Sequence, residues 1–123
     1  MTTILIVDDE YLIADILAFA LEDEGYQTVT ASNGKKALEV LARERPELVI
    51  TDYMMPVMDG LEFARAIRAR EETRTLPILL MSGAQAATGR AHPELFEAVF
   101  DKPFEIDAVI AQVNRLLDNP NKD

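Results

Sequence analysis

The chain of 123 residues carries a formal net charge of -10, is 49% hydrophobic and contains no cysteine. That length suits one domain around one core. The acidic balance argues against direct nucleic-acid binding, which draws its affinity from Lys and Arg neutralising phosphates, and the lack of cysteine excludes disulfides and thiol or zinc-thiolate chemistry. No apolar run approaches the roughly 18 residues of a membrane span, and Met1-Thr2-Thr3-Ile4 opens neither a basic n-region nor a long apolar stretch, so a cytoplasmic chain with no membrane partner is expected.

Five short apolar runs alternate with segments of helical period, the pattern of βαβ units around a parallel sheet. The first run, Ile4-Val7, ends in Asp8-Asp9. A helix from about Glu10 to Glu24 follows, with Leu12, Ile13, Ile16, Leu17, Ala20 and Leu21 as its inward stripe and Gly25 as its stop. The second strand runs near Gln27 to Ala31. Asn33-Gly34 then marks a turn and cap for a helix that must end before Pro46. The third run, Leu48-Thr51, ends in Asp52, and Asp59 is placed to cap a helix reaching about Arg70.

The fourth run, Ile78-Met81, closes on Ser82. Between Gly83 and Glu97 a helix is due, but Thr88, Gly89 and Pro93 interrupt any long period, so helix is expected only within His92-Glu97 and a loop before it. The fifth run, Ala98-Asp101, precedes Lys102. A last amphipathic helix covers Glu105 to Asp118, giving a domain over residues 1–118 and a short polar tail over 119–123.

Strands buried on both faces read as continuous apolar runs, and ligands of open parallel sheets bind at the strands' carboxyl ends. Asp8, Asp9, Asp52, Ser82 and Lys102 all fall there. Neighbouring carboxylates repel unless a cation offsets them, and a hard divalent ion such as Mg²⁺ favours a few carboxylates with retained waters. A carboxylate beside such an ion can act as nucleophile towards a phosphoryl group. Lys102 would place a point charge on a phosphoryl oxygen and Ser82 a hydrogen-bond donor. Each residue alone reads more simply as an acidic turn, a surface lysine or a strand-end serine; their joint placement favours a site.

Ile4-Leu5-Ile6-Val7-Asp8-Asp9-Glu10, Asp52-Tyr53-Met54-Met55-Pro56-Val57-Met58-Asp59-Gly60, Met81-Ser82-Gly83 and Lys102-Pro103-Phe104, in that order, resemble the motifs of the receiver domain of two-component response regulators. The resemblance covers almost the whole chain. It implies a flavodoxin-like (βα)5 fold, a doubly wound parallel sheet of order 2-1-3-4-5. It also implies phosphorylation of Asp52, direct Mg²⁺ binding by Asp9, Asp52 and the backbone carbonyl of Met54, and an indirect role for Asp8 through water. Ser82 and Lys102 would hold the phosphoryl group, the Lys102-Pro103 peptide would be cis, and the donor would be a histidine kinase or histidine phosphotransfer protein. The domain would then switch contacts with a further protein, as a monomer or weak homodimer without an output domain of its own.

Two departures bear on signalling. Receivers commonly carry Tyr or Phe three residues before the lysine; here Val99 stands there, and strand parity sends Phe100 to the other face. The stretch from Ser82 to Lys102 is also slightly short for the family, so the fourth helix should be short or irregular. The signal is therefore expected to leave through the Gly83-Pro93 loop. Met54 and Ala84, at positions where polar side chains tune phosphate loss, predict a long-lived phosphorylated state.

Other residues read blandly. His92 and the Arg65-Arg74 stretch should be solvated, Met54, Met55, Met58 and Met81 should pack around the site, and Phe19, Phe63, Phe96 and Phe104 should be core. The rival functions are a Mg²⁺-dependent phosphohydrolase with an aspartyl nucleophile and a receiver-like scaffold that works without phosphate. Such hydrolases commonly carry an acid-base Asp two residues after the nucleophile, where this chain has Met54.

Overall fold

The computed structural model describes residues 2–117; the expected domain end at 118 and the tail over 119–123 lie outside the described residues. Five strands alternate with helices: β1 (Thr3–Val7), α1 (Tyr11–Asp23), β2 (Gln27–Ala31), α2 (Gly34–Glu44), β3 (Leu48–Asp52), α3 (Gly60–Ala69), β4 (Ile78–Ser82), α4 (Ala86–Arg90), β5 (Ala98–Asp101) and α5 (Ile106–Leu117). A 3-10 turn, Glu71–Thr73, lies between α3 and β4. All strand pairs are parallel and the order is β2-β1-β3-β4-β5, the expected flavodoxin-like arrangement.

Strand parity divides the core into two layers. Leu5, Val7, Val49, Ile78 and Leu80 point to the face covered by Ala37, Val40 and Leu41 of α2 and Phe63, Ala64 and Ile67 of α3. Ile4, Ile6, Leu48, Ile50, Leu79 and Met81 point to the face covered by α1 and α5. Each fully buried Leu, Ile or Phe contributes about 1.5–3 kcal/mol from removal of apolar surface from water. Val99 packs in the first layer and Phe100 in the second, as alternation requires.

Local chemistry sets the boundaries. Asn33 accepts from the Lys36 N–H at 2.9 Å to cap α2. Asp59 and Glu62 form a reciprocal capping box at the start of α3. Gly25 supplies the left-handed turn after α1 at φ 100. The Tyr26 hydroxyl donates to Asn114 Oδ1 at 2.6 Å, tying α5 to the start of β2 across a buried boundary.

Several expectations are corrected. Helix α1 has two apolar stripes, and the buried one is Ala14, Leu17 and Leu21; Leu12 and Ile16 are 64% and 56% exposed, and Phe19 is 78% exposed and so not core. At about 100° per residue, Leu12, Ile16 and Phe19 lie opposite Ala14, the small side chain that lets the helix approach the sheet. Met54 is also exposed, whereas Met55 and Met81 are buried. Arg68 is partly buried and donates to the carbonyls of Leu76 at 2.7 Å and Leu95 at 2.8 Å, and His92 Nδ1 meets Glu94 Oε2 at 2.9 Å.

The fourth helix is short, as expected, but displaced. It occupies Ala86–Arg90, and the expected span 92–97 holds a turn at residues 93–95 in place of a helix. Gly89, a poor helix former, packs closely on the sheet: a Cβ there would lie 2.4 Å from Leu80 Cδ2 and 3.2 Å from Val99 Cγ2, so the Leu80 side chain would have to shift. Tertiary approach overrides helix propensity at this position.

Candidate functional site

The sheet register delivers the charged groups to one edge. Val7 pairs with Thr51, Asp52 with Met81 and Ser82 with Asp101, so Asp8, Asp52, Ser82 and Lys102 share the carboxyl end of the sheet. Asp8, Asp52 and Ser82 are buried, at 2%, 5% and 1% exposure, while Asp9 and Glu10 are exposed. The cleft above them, of about 440 Å³, is lined by Asp9, Glu10, Asp52, Met54, Gly83, Ala84, Gln85 and Lys102.

Lys102 is the centre of charge. Its Nζ lies 3.0 Å from Asp52 Oδ1, 3.6 Å from Asp8 Oδ2 and 3.8 Å from Glu10 Oε1. It enters the site from the cis Lys102-Pro103 peptide, with its backbone N–H donated to the Ser82 carbonyl at 2.9 Å. Asp52 Oδ1 accepts in addition from the Tyr53 N–H at 2.9 Å. Asp8 Oδ1 accepts from the Glu10 N–H at 2.8 Å, which turns the chain and carries the Glu10 carboxylate back over the site.

Burial pushes the Asp8 carboxyl up to about 6, helped by the Asp52 charge and opposed by the Glu10 N–H and by Lys102. Burial also raises Asp52, against the hydrogen bond and charge of Lys102. For Lys102 burial acts downward, but the hydrogen bond and charge of Asp52, with the charges of Asp8 and Glu10, outweigh it and raise the ammonium. The two partners thus respond oppositely: Lys102 is held protonated, whereas Asp52 gains less from one lysine than burial takes away. For Lys102 the sign follows from one ammonium facing three carboxylates; for Asp52 it follows from burial.

That imbalance bears on metal binding. The carboxylate oxygens of Asp8, Glu10 and Asp52 lie within 4.8 Å of one another. Asp8 Oδ2 is buried and has no hydrogen-bond partner among the described residues. A buried carboxylate oxygen that accepts no hydrogen bond, set among hard oxygen donors, fits a divalent cation such as Mg²⁺. Asp9 lies outside this group of three; it lines the same cleft, and its charge reaches Asp52. Glu10 is the residue that sequence reasoning missed as a site member, and its signal was its adjacency to the acidic pair at a strand-to-helix turn.

Ser82 stands at the end of β4, but its hydroxyl is outside the cleft lining and accepts from the Gln85 N–H at 3.1 Å. Met54 lines the cleft from the loop after β3. In the same loop Val57 holds φ 74, a left-handed conformation rare for a β-branched residue.

Residues 4–114 match the family model for the response regulator receiver domain. Among curated relatives, sporulation initiation phosphotransferase F of Bacillus subtilis is 36% identical over 114 residues, covering 93% of this chain and 92% of that protein. The probable transcriptional regulatory protein TcrX of Mycobacterium tuberculosis is 34% identical over 117 residues, covering 94% of this chain; the match spans only 49% of TcrX. Among solved structures, a putative response regulator from Chloroflexus aurantiacus superposes with a TM-score of 0.88 at 28% identity, covering 95% of this chain and 98% of that one. The chemotaxis response regulator CheY4 of Vibrio cholerae gives 0.85 at 29%, covering 94% and 98%. With its parallel sheet and acidic pocket at the strand ends, the chain belongs to the response regulator receiver domain family of two-component systems.

Proposed function

We propose that Asp52 is the phosphoacceptor of a phosphorelay step and that the phosphorylated domain acts by protein contact. The observation that carries this reading is the Asp52 carboxylate at the floor of an open cleft, 3.0 Å from the Lys102 ammonium. A carboxylate oxygen of Asp52 attacks the phosphorus of a phosphohistidine donor, the P–N bond breaks, and the imidazole leaves with the bond's electron pair and takes up a proton. Lys102 then exchanges its carboxylate partner for a phosphoryl oxygen, and Ser82 donates its hydroxyl hydrogen to another.

Asp8, Asp52 and Glu10, with Asp9 and the Met54 carbonyl assigned from the family resemblance, are the residues that would hold Mg²⁺. When bound, the cation supplies charge neutralisation between the carboxylate and the incoming phosphoryl oxygens. Asp8 and Glu10 orient Lys102 through charge, and the buried position of Asp52 excludes water from its inner side.

The donor's docking surface follows from what α1 leaves uncovered. Tyr11, Leu12 and Ile16 are exposed, and Ile13 and Ile16 line an apolar hollow with Pro103, Phe104 and Ile106 that reaches Lys102. A histidine kinase or histidine phosphotransfer protein seated there would set its phosphohistidine over the cleft. The similarity to a sporulation phosphotransferase over nearly that protein's full length supports a relay role.

An aspartyl-nucleophile hydrolase would use the same Asp, Lys and hydroxyl, but Met54 leaves no acid-base group two residues after Asp52. Incubation with a phosphate ester distinguishes the two. One equivalent taken up from acetyl phosphate with the ester left intact supports the phosphoacceptor, and release of many equivalents of phosphate from the ester refutes it.

A further inference from the structure

We propose that the free edge of β2 is a docking site for an extended, basic segment of a partner protein, which adds a strand to the sheet and lays Lys or Arg side chains along the Asp15, Phe19 and Glu22 face of α1. The site shares no residue with the cleft over Asp52 or with the apolar hollow at Lys102, so the proposal stands apart from the phosphoacceptor reading.

Among the described residues β2 pairs with β1 alone, so one side of the strand is unpaired. The Gln27 N–H is donated to the Thr2 carbonyl and the Asp8 N–H to the Ala31 carbonyl, which turns the backbone groups of residues 27, 29 and 31 towards β1. Those of Thr28 and Thr30 therefore point outward, each offering an N–H and a C=O on a strand whose register runs without a bulge. The usual protections of an edge are missing. Gln27-Thr28-Val29-Thr30-Ala31 contains no charge and no proline, whereas β5 at the opposite edge carries Asp101.

Helices α1 and α2 flank this edge and leave a cleft of about 630 Å³ in which Thr28 and Thr30 meet Val40 and Arg43 of α2. From α1, Asp15, Phe19 and Glu22 enter at spacings of four and three and so share one helix face. Phe19 is 78% exposed, and an exposed ring between two carboxylates matches a cation: the carboxylates meet the charge, and the ring face takes a guanidinium or ammonium. Glu22 Oε2 accepts from the Thr28 hydroxyl at 2.6 Å, which holds that carboxylate beside the strand edge. Side chains of an added strand alternate between the two sheet faces. The partner segment thus needs cations at every second position, towards α1, and apolar or acidic side chains between them, towards Val40 and Arg43.

A second copy of this chain fits poorly. Two β2 edges paired antiparallel about a twofold axis normal to the sheet would set α1 against α1, so Asp15 and Glu22 would meet their own counterparts, and each chain carries a net charge of -10. Charge complementarity selects a basic strand from a different protein.

The test is fluorescence anisotropy of a labelled peptide of about ten alternating arginine and valine residues, titrated with the whole chain. Two control peptides carry the same charge: an isomer with its arginines clustered, which cannot place them on one strand face, and a copy with methylated backbone amides, which cannot complete the ladder. The alternating peptide should bind saturably, lose affinity as salt rises and slow the exchange of the Thr28 and Thr30 amides. Phe19→Ala should weaken binding about two- to five-fold, and Asp15→Asn with Glu22→Gln should weaken it further. Thr30→Pro removes an outward N–H without touching the β1 ladder and should weaken binding with both carboxylates in place. If that variant fails to fold, the methylated peptide tests the same bonds from the partner's side. Equal binding of the clustered or methylated peptide would overturn the proposal, leaving only attraction to an acidic protein; so would absence of binding, or unchanged exchange at Thr28 and Thr30. A dimer in sedimentation equilibrium that Thr30→Pro abolishes would assign the edge to a second copy and overturn it as well.

Discussion

Lys102 Nζ stands 3.0 Å from Asp52 Oδ1 while Asp8 Oδ2, 3.6 Å away from the same ammonium, has no hydrogen-bond partner among the described residues. One cation is thus shared by carboxylates that it cannot all satisfy, and Asp8, Glu10 and Asp52 form a group that could hold a second.

Replacing Lys102 by Ala separates the two cations. The ammonium repels a divalent ion and attracts a phosphoryl oxygen, so its loss should slow phosphorylation by acetyl phosphate about 10²-fold while Mg²⁺ affinity holds or rises. Titration calorimetry with Mg²⁺ checks the second half. A fall in Mg²⁺ affinity would mean that Lys102 organises the carboxylates rather than competing for them.

The pH dependence has an unusual sign for a carboxyl group. Asp8 is raised from 3.8 to about 6 by burial. Below roughly pH 4 it is protonated in folded and unfolded chains alike and changes nothing. Between about 4 and 6 the unfolded chain ionises first, so this group's contribution to stability declines as pH rises, and above 6 the penalty stays constant. Mg²⁺ binding needs the ionised form. The rise in Tm on adding Mg²⁺ should therefore be larger at about pH 7.5 than at about pH 5. Scanning calorimetry reads this directly, and an equal rise at both would show that Asp8 does not take part.

Val57, at φ 74, spends backbone energy next to the site and makes little contact in return, being 76% exposed. A non-glycine residue in the left-handed region costs about 1–2 kcal/mol. Val57→Gly should raise stability by about 1 kcal/mol after the entropy of glycine is subtracted. A urea melt with lowered midpoint would show instead that the valine packs usefully.

The lifetime of the phosphorylated state should reflect the apolar cleft lining. Met54 and Ala84 both line it, and neither side chain can position an attacking water. Decay of the adduct should take many minutes, and Met54→Asn should shorten it several-fold. Wild-type loss within seconds would show that water is oriented by another group.

Most of the fold was legible because burial on both sheet faces writes strands as apolar runs, and capping residues such as Asn33 and Asp59 punctuate them. The strand-end positions of Asp8, Asp52, Ser82 and Lys102 followed from the same pattern. What failed depended on tertiary approach. Periodicity in α1 offered two apolar stripes and did not say which faces the sheet, so Phe19 was misplaced. Gly89 reads locally as a helix breaker, yet it lets α4 approach Leu80 and Val99 more closely than a residue with a Cβ could without a side-chain shift. Glu10 entered the site through a turn at Asp8 whose trace in the sequence is its adjacency to the acidic pair.

The most direct measurement is intact mass of the wild type and of Asp52→Asn after incubation with Mg²⁺ and acetyl phosphate, followed through time. One phosphoryl adduct on the wild type, absent from Asp52→Asn and from samples with excess chelator, is the expected result. An adduct of equal yield on Asp52→Asn, or none on the wild type with any small phosphodonor or phosphohistidine protein, would contradict Asp52 as the phosphoacceptor.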